Sequence, residues 1–380
     1  MKGFAKSVSA VEEYYFSKKL KEVNRLIQEG KPIINMGIGS PDLAPHPTVV
    51  DALKHTASQG SSHGYQGYQG IFGLRKAVAD FYKEHYAVIL NPDAEILPLM
   101  GSKEGIMHVT MTFLEKGDGV LVPDPGYPTY SSVSKLMGIK VHPYVLNAAN
   151  GWYPDFEALE KQDLSNIKLM WCNYPHMPSG AKADLSVFEK LVKFAQKHNL
   201  VLVHDNPYSF ILENEPKSIF QIEGAKDVAL ELNSLSKSSN MAGWRVGMLL
   251  GRKDWIQAVT KVKSNMDSGM FLGLQKGAIE ALSLGADWYT TLNEIYVKRR
   301  ELVWELASKM ELEFEKESAG MFVWAKLPEN MTAMGFVDKM LYEKDIFLAP
   351  GDIFGKNGLG YVRFSLCLPE EKIQEAISRI

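Results

Sequence analysis

Cysteine is nearly missing from this chain. The two present in 380 residues, Cys172 and Cys367, lie far apart without metal-ligand spacing, so neither a disulfide framework nor a zinc site is expected. An excess of one charge is missing too. With 23% charged residues and a formal net charge of -3, the balance favours neither nucleic acid nor an anionic membrane. No charge-free apolar run is long enough to span a bilayer. The segment from Met1 to Leu26 mixes Lys and Glu with its apolar residues, unlike the core of a signal peptide. Repeats, low-complexity tracts and long linkers are also lacking. These absences predict a soluble protein of a reducing cytoplasm without a bound metal, long enough for about two closely packed domains.

What is present is a rhythm of short apolar runs separated by longer helical patterns. The runs are Glu95 to Met100, Gly119 to Pro123, Ile139 to Val145, Ile167 to Cys172, Leu200 to His204, Val228 to Leu232 and Met248 to Leu250. Such alternation predicts an α/β domain with a largely parallel sheet. Leu185 to His198 reads as a helix with Leu191, Val192, Phe194 and Ala195 on its buried face. From about Lys253 to Glu311 the pattern is long and helical. It is followed by strands at Met321 to Lys326 and Tyr361 to Ser365, on either side of a helix at Gly335 to Glu343. A second, smaller α+β domain is expected there, joined by the N-terminal segment.

The most informative residue is Lys237, in Ser234-Leu235-Ser236-Lys237-Ser238-Ser239-Asn240 with Arg245 eight positions on. Small hydroxyl residues and an arginine around an amine suit a phosphate held beside a lysine that forms a Schiff base, and the cofactor implied is pyridoxal phosphate. An isolated Ser-x-Ser-Lys would be a solvated charge; Arg245-Val246-Gly247 and the other motifs reverse that reading. Gly101-Ser102-Lys103-Glu104-Gly105 opens a helical pattern after an apolar run, where free amides suit a phosphate, although many turns look alike. Asp205 ends an apolar run with Tyr208 three residues on. A carboxylate there would keep a pyridine nitrogen protonated and a phenol would meet the ring oxygen; the alternative is a capping Asp and a packing Tyr. Tyr127, in the rigid turn Pro123-Asp124-Pro125-Gly126-Tyr127-Pro128, could stack on a planar ring, while Tyr130 could equally be core. Asn173 precedes a loop whose prolines restrict its backbone, or it belongs to a plain connecting turn. Arg363 lies within an apolar strand and suits either a substrate carboxylate or an internal Asp or Glu.

Together these motifs resemble the class I/II aminotransferases, the fold-type I pyridoxal-phosphate enzymes, over nearly the whole chain. Met36-Gly37-Ile38-Gly39-Ser40-Pro41-Asp42 is similar to the family's N-terminal substrate loop. Tyr65, Gly70, Leu74 and Arg75 follow its Tyr-x4-Gly-x3-Leu-Arg pattern, and Leu348-Ala349-Pro350-Gly351 with Phe354, Gly355 and Arg363 resembles its C-terminal signature. The resemblance is nearest to the diaminopimelate and aspartate transaminase branches. It implies a large domain over 46–275 with a mainly parallel seven-stranded sheet, and a small α+β domain from 1–45 and 276–380. It implies that Lys237 is the Schiff-base lysine and proton shuttle. Gly101, Ser102, Lys103, Ser234, Ser236 and Arg245 would lie at the phosphate, Asp205 and Tyr208 at the ring nitrogen and hydroxyl, with Asn173 nearby and Tyr127 stacked on the ring. Arg363 and the Gly39 amide would take the substrate α-carboxylate. Tyr65 would reach the phosphate of a neighbouring subunit, making a homodimer with shared sites. The implied reaction is ping-pong transfer of an amino group from an α-amino acid to an oxo acid such as 2-oxoglutarate. The alternatives are a carbon–sulfur β-lyase, or a binding homologue with impaired catalysis.

One departure stands out. Where the family commonly has Asn-Pro-Thr-Gly, this chain has Met177-Pro178-Ser179-Gly180. A thioether cannot donate the hydrogen bond that the amide would send towards the ring hydroxyl. Either Asn173 or His176 substitutes, or the Schiff-base pKa rises, or the reaction differs; with Tyr208 still present, surviving catalysis with an altered pKa is expected. For a dicarboxylic substrate the candidate second cations are Lys103, Lys263 and Lys276, and the segment Ser264 to Phe271 resembles the family's interface loop near the substrate side chain.

Overall fold

Short apolar runs bounded by turn-formers have too few residues for stable helices and fully bury both faces only inside a sheet. The computed structural model, which describes residues 3–11, 13 and 15–380, places all seven runs in one sheet. Its strands are β2 (Ile96–Leu99), β3 (Gly119–Asp124), β4 (Lys140–Val145), β5 (Ile167–Asn173), β6 (Val201–Asp205), β7 (Ala229–Ser234) and β8 (Gly247–Leu250), after a short β1 (Ile34–Asn35) elsewhere. The order across the sheet is β2-β8-β7-β6-β5-β3-β4. Pairing is parallel from β7 to β4. Only β8 reverses, antiparallel to both β2 and β7. Parallel neighbours need a long crossover, whereas between β7 and β8 the chain makes a short helix, Leu235–Ser238, and turns straight back.

Helices cover both faces, and their limits are written in local chemistry. In the helix Leu185–His198, Asp184 caps the N-terminus by accepting from Ser186 N at 2.7 Å, and Asn199 ends it in the left-handed region at φ 53. Both are preferred residue types at those positions. The face predicted from sequence is buried, with Val187 and Phe188 added to it. Phe188 meets the His204 ring edge-on, with centroids 4.7 Å apart.

The C-terminal part forms a second, antiparallel sheet of β9 (Glu313–Phe314), β10 (Phe322–Lys326), β12 (Ala349–Pro350) and β13 (Tyr361–Ser365). The N-terminal segment joins it: β1 pairs in parallel with β11 (Ile346–Phe347), and Met36 N donates to Phe347 O at 2.8 Å. Arg299, on the helix Ala286–Lys309, grips both oxygens of Asp42 at 2.7 and 2.9 Å. That pair fixes the far end of the Gly37–Asp42 loop.

The packing makes a measurable claim. Leu191 is fully buried, so Leu191→Ala should cost about 2–5 kcal/mol in denaturant unfolding. Lys193→Ala, on the exposed side of the same helix, should change stability by less than about 0.5 kcal/mol.

Candidate active site

The C-terminal ends of β5, β6 and β7 deliver Asn173, Asp205 and Ser234 to one rim of the sheet, the usual place for a ligand crevice in an open α/β fold. There they border a cavity of about 630 Å³. Asn173 and Asp205 stand opposite each other in the strand register, and Asn173 Nδ2 donates to the Asp205 carbonyl at 2.6 Å. The Asp205 carboxylate accepts from Tyr130 OH at 2.7 Å through Oδ2, while the buried Oδ1 has no hydrogen-bond partner among the described residues. Burial pushes this carboxyl up to about 6, against the Tyr130 hydrogen bond and the His204 charge, which pull it down. A buried acceptor left over in this way fits a protonated ring nitrogen.

Lys237 stands across the cavity in the helix Leu235–Ser238. That segment is pinned by Leu235 N to Val246 O, by Met241 N to Leu235 O and by Trp288 Nε1 to Ser238 O at 2.7 Å. The Lys237 ammonium donates to the carbonyl of Gly39. Burial pulls it down to about 8, helped by the charges of Arg363 and Arg245 and opposed by Cys367. Near neutral pH a useful fraction is therefore the free amine that attacks a carbonyl. The Gly39 contact needs a glycine, because a Cβ there would collide with the Phe322 ring.

Polar donors gather at one end of the same cavity. Ser234 caps the Lys237 helix, its Oγ accepting from Ser236 N at 3.1 Å and donating to Ser236 Oγ at 2.8 Å. Arg245, in the left-handed region at φ 56, crosses to Gly101. Gly101 has φ +86, and a Cβ on it would overlap the Arg245 guanidinium. Ser102 and Lys103 begin the helix Ser102–Phe113, whose cap supplies no side-chain acceptor. Two hydroxyls, a guanidinium and a helix N-terminus facing one space suit a phosphate. Ser102, Lys103, Ser234, Ser236, Arg245, Tyr127, Tyr208, Asn173, Gly39 and Arg363 all line the cavity. The Tyr208 phenol is pushed far up by burial, opposed by the Arg363 charge, so it stays a hydrogen-bond donor.

Arg363 enters from β13. Its Nη2 donates to Gly37 O at 2.8 Å, its Nη1 lies 3.3 Å from Met177 Sδ, and its guanidinium sits 3.9 Å from the Phe322 ring centroid and 4.7 Å from that of Phe354. Of the two expected substitutes for the missing asparagine, His176 is turned away. Its ring meets Ser179 Oγ at 2.6 Å and Pro125 O at 3.1 Å, and burial pulls it down to about 4, against the Pro125 hydrogen bond. Asn173 lines the cavity but is already used by Asp205 O and Met177 N.

Two predicted site residues lie apart from the lining. Gly101 contributes as the backbone against Arg245, and Tyr65 is 93% exposed on the molecular surface. Its companion Arg75 acts within the chain, holding Gly70 O at 2.7 Å and Pro92 O at 2.8 Å. Of the candidate second cations only Lys103 lines the cavity. Lys263 is buried against both Asp267 oxygens at 2.7 Å, and Lys276 is on the exposed side of its helix. Sequence reasoning missed Tyr130, left open as core, although Tyr127-Pro128-Thr129-Tyr130 puts the two phenols on adjacent turns. It also passed over His204 and Glu231 behind Asp205.

Comparison with known proteins agrees with this geometry. The sequence profile described as aminotransferase class I and II matches residues 31–380. The LL-diaminopimelate aminotransferase of Oleidesulfovibrio alaskensis is 40% identical over 99% of this chain and 98% of its own. That of Aquifex aeolicus is 37% identical over 99% and 98%. Among solved structures, substrate-bound BacF from Bacillus subtilis superposes with a TM-score of 0.95 at 36% identity, covering 100% of this chain and 97% of that one. A probable N-succinyldiaminopimelate aminotransferase from Thermus thermophilus gives 0.89 at 31%, over 96% and 98%. Fold and site thus define a pyridoxal-phosphate-dependent α/β enzyme. The chain belongs to the aminotransferase class I and II family, and it is a transaminase that moves an amino group from an α-amino acid to a 2-oxo acid.

The influence of the sulfur beside Arg363 can be tested. Met177→Asn should move the pH midpoint of the bound cofactor's absorbance change down by about 0.5 unit or more, because an amide can donate where a thioether cannot. Superimposable titrations with equal turnover would show that Met177 has no influence there.

Proposed function

We propose that Lys237 is the amine that carries the cofactor and moves the substrate proton, with Asp205 Oδ1 holding the ring nitrogen. The observation that carries this reading is the buried, unsatisfied Oδ1 on the same cavity as a lysine of lowered basicity. Gly101, Ser102, Lys103, Ser234, Ser236 and Arg245 would hold the phosphate. Tyr127 would lie against the ring, and Tyr208 and Asn173 would serve its oxygen side. Arg363 and the Gly39 amide would orient the α-carboxylate so that the Cα–H bond points at Lys237. When bound, pyridoxal phosphate supplies a carbon that condenses with amines and a cationic ring that draws in electrons. The phenyl walls of Phe322 and Phe354 would keep water from Arg363, strengthening its grip on a carboxylate.

The same reading extends to assembly. The exposed Tyr65 would serve the phosphate of a second copy, so the working form is a homodimer with shared sites. The chain divides into a large domain over 46–275 and a small one from 1–45 with 276–380, and it works in the cytoplasm.

For the donor, the remaining lining offers Phe16, Leu20, Ile38, Phe322 and Phe354. That surface suits an apolar or aromatic side chain. The proposed acceptor is 2-oxoglutarate. A second reading rests on the names of the relatives: LL-diaminopimelate carries an ammonium and a carboxylate at its distal end. Asp205 is the acidic residue among the described lining residues, so that ammonium would have to be met from the second subunit.

Spectral conversion of the bound cofactor separates these readings. Phenylalanine, leucine and methionine should convert it at least about tenfold faster than LL-diaminopimelate; the reverse order establishes the second reading. Lys237→Ala should slow conversion about 10³-fold or more. An unchanged rate would remove Lys237 from the chemistry.

A further inference from the structure

Behind Asp205, on the opposite face of β6, lies a charge pair that the reaction does not touch. Successive residues of a strand point to opposite faces, so His204 faces the helix Leu185–His198 while Asp205 faces the cavity. His204 stands opposite Glu231 in the β6–β7 register. Both side chains are 0% exposed, with His204 Nδ1 3.1 Å from Glu231 Oε2.

The hydrogen-bond directions fix the charges. Glu231 Oε1 receives Tyr82 OH at 2.6 Å and Asn206 Nδ2 at 3.2 Å. Its Oε2 receives Ser218 Oγ at 2.8 Å and Ile219 N at 3.0 Å, besides the imidazole. Tyr82 OH accepts from Asn233 Nδ2, and Ser218 Oγ accepts from Phe220 N, so each hydroxyl hydrogen points at Glu231. A carboxyl surrounded by donors has no place for its own proton. Burial alone would raise it, yet the His204 contact and these donors hold it below the ordinary range. The other imidazole nitrogen, Nε2, is 2.8 Å from Tyr174 O, a group that can only accept. Both ring nitrogens therefore carry hydrogen, and His204 is a buried cation next in sequence to Asp205.

We propose that the His204–Glu231 pair is a positioning device for Asp205, holding it ionised and aimed so that the cofactor's ring nitrogen stays protonated. The proposal rests on the role given to Asp205 above. Glu231 is opposed by neutral donors one strand away, and it is Leu232 that stands opposite Asp205; the nearer imidazolium therefore dominates at Asp205. Other titratable groups near Asp205 are Tyr130, Tyr208 and Cys172, each pushed up by burial. Tyr82 and Tyr86 beside Glu231 are pushed up likewise. These phenols and the thiol are neutral near pH 7, which leaves His204, Glu231, Asp205 and, on the cavity lining, Lys237, Arg363, Arg245 and Lys103 as the charges that matter.

The sign follows from burial. Removing the imidazolium raises the Asp205 pKa, so the carboxylate is lost at a higher pH on acidification. The experiment follows release of bound cofactor from the holoenzyme by its absorbance as pH falls, in wild type, His204→Asn, Glu231→Gln and Asp205→Asn. In His204→Asn the release midpoint should rise by about half a pH unit or more. A purely structural role would lower thermal stability without moving that midpoint; an unmoved midpoint in a folded variant overturns the proposal. If the Asp205→Asn curve also matches wild type, the Asp205 assignment fails instead. Should the variants not fold, wild-type imidazole ¹⁵N spectra decide. In them the His204 ring should carry hydrogen on both nitrogens, bonded to Glu231 Oε2 and Tyr174 O, and a ring with hydrogen on one nitrogen alone would overturn the inference.

Discussion

Register between β5, β6 and β7 is the constraint on which the rest depends. Asn173 faces Asp205 across one strand boundary, and His204 and Asp205 face Glu231 and Leu232 across the next. A slip of one residue in β6 would exchange its two faces. Asp205 would then point under the helix Leu185–His198, and a histidine would take its place at the cavity. The apolar, doubly covered strands resist that slip, because it would also bury the wrong side chains throughout the sheet. Strand packing and site chemistry are thus a single requirement.

Around that frame the site handles its charges in different ways. Asp205 is shielded on one oxygen by Tyr130 and open on the other. Glu231 is saturated with donors. Arg363 lies among aromatic rings and reaches a backbone carbonyl and a sulfur. A buried ion is costly unless its hydrogen-bonding capacity is filled, so the open Oδ1 of Asp205 is the acceptor able to bind something. The loop Gly37–Asp42 connects these choices: Arg363 holds its start, Arg299 holds its end, and its middle carbonyl receives Lys237.

Much of this was legible in the chain. The seven apolar runs are the seven strands of the large sheet, and the buried face of Leu185–His198 follows its 3.6-residue spacing. Lys237, Asp205, Tyr208, Arg245 and Arg363, drawn from three separate motifs, meet at one cavity. Tyr130 was not legible as a site residue, since a tyrosine on an amphipathic turn looks the same whether its hydroxyl meets water or a carboxylate. His204 and Glu231 were hidden for a similar reason: each is one polar residue in an apolar strand, and their meaning appears only when the strands are paired. His176, offered by sequence as a stand-in for the missing asparagine, proved to be held by Ser179 and Pro125.

The sequence by itself determined the α/β class, the order of motifs and the family, because strand-length apolar runs, caps and a serine-flanked lysine are local signals. Only the tertiary structure decided which oxygen of Asp205 is left open, that Met177 lies against Arg363, and that an imidazolium stands behind the carboxylate. Those outcomes depend on groups brought together across strand and domain boundaries. Local spacing carries no information about the partner that burial will supply.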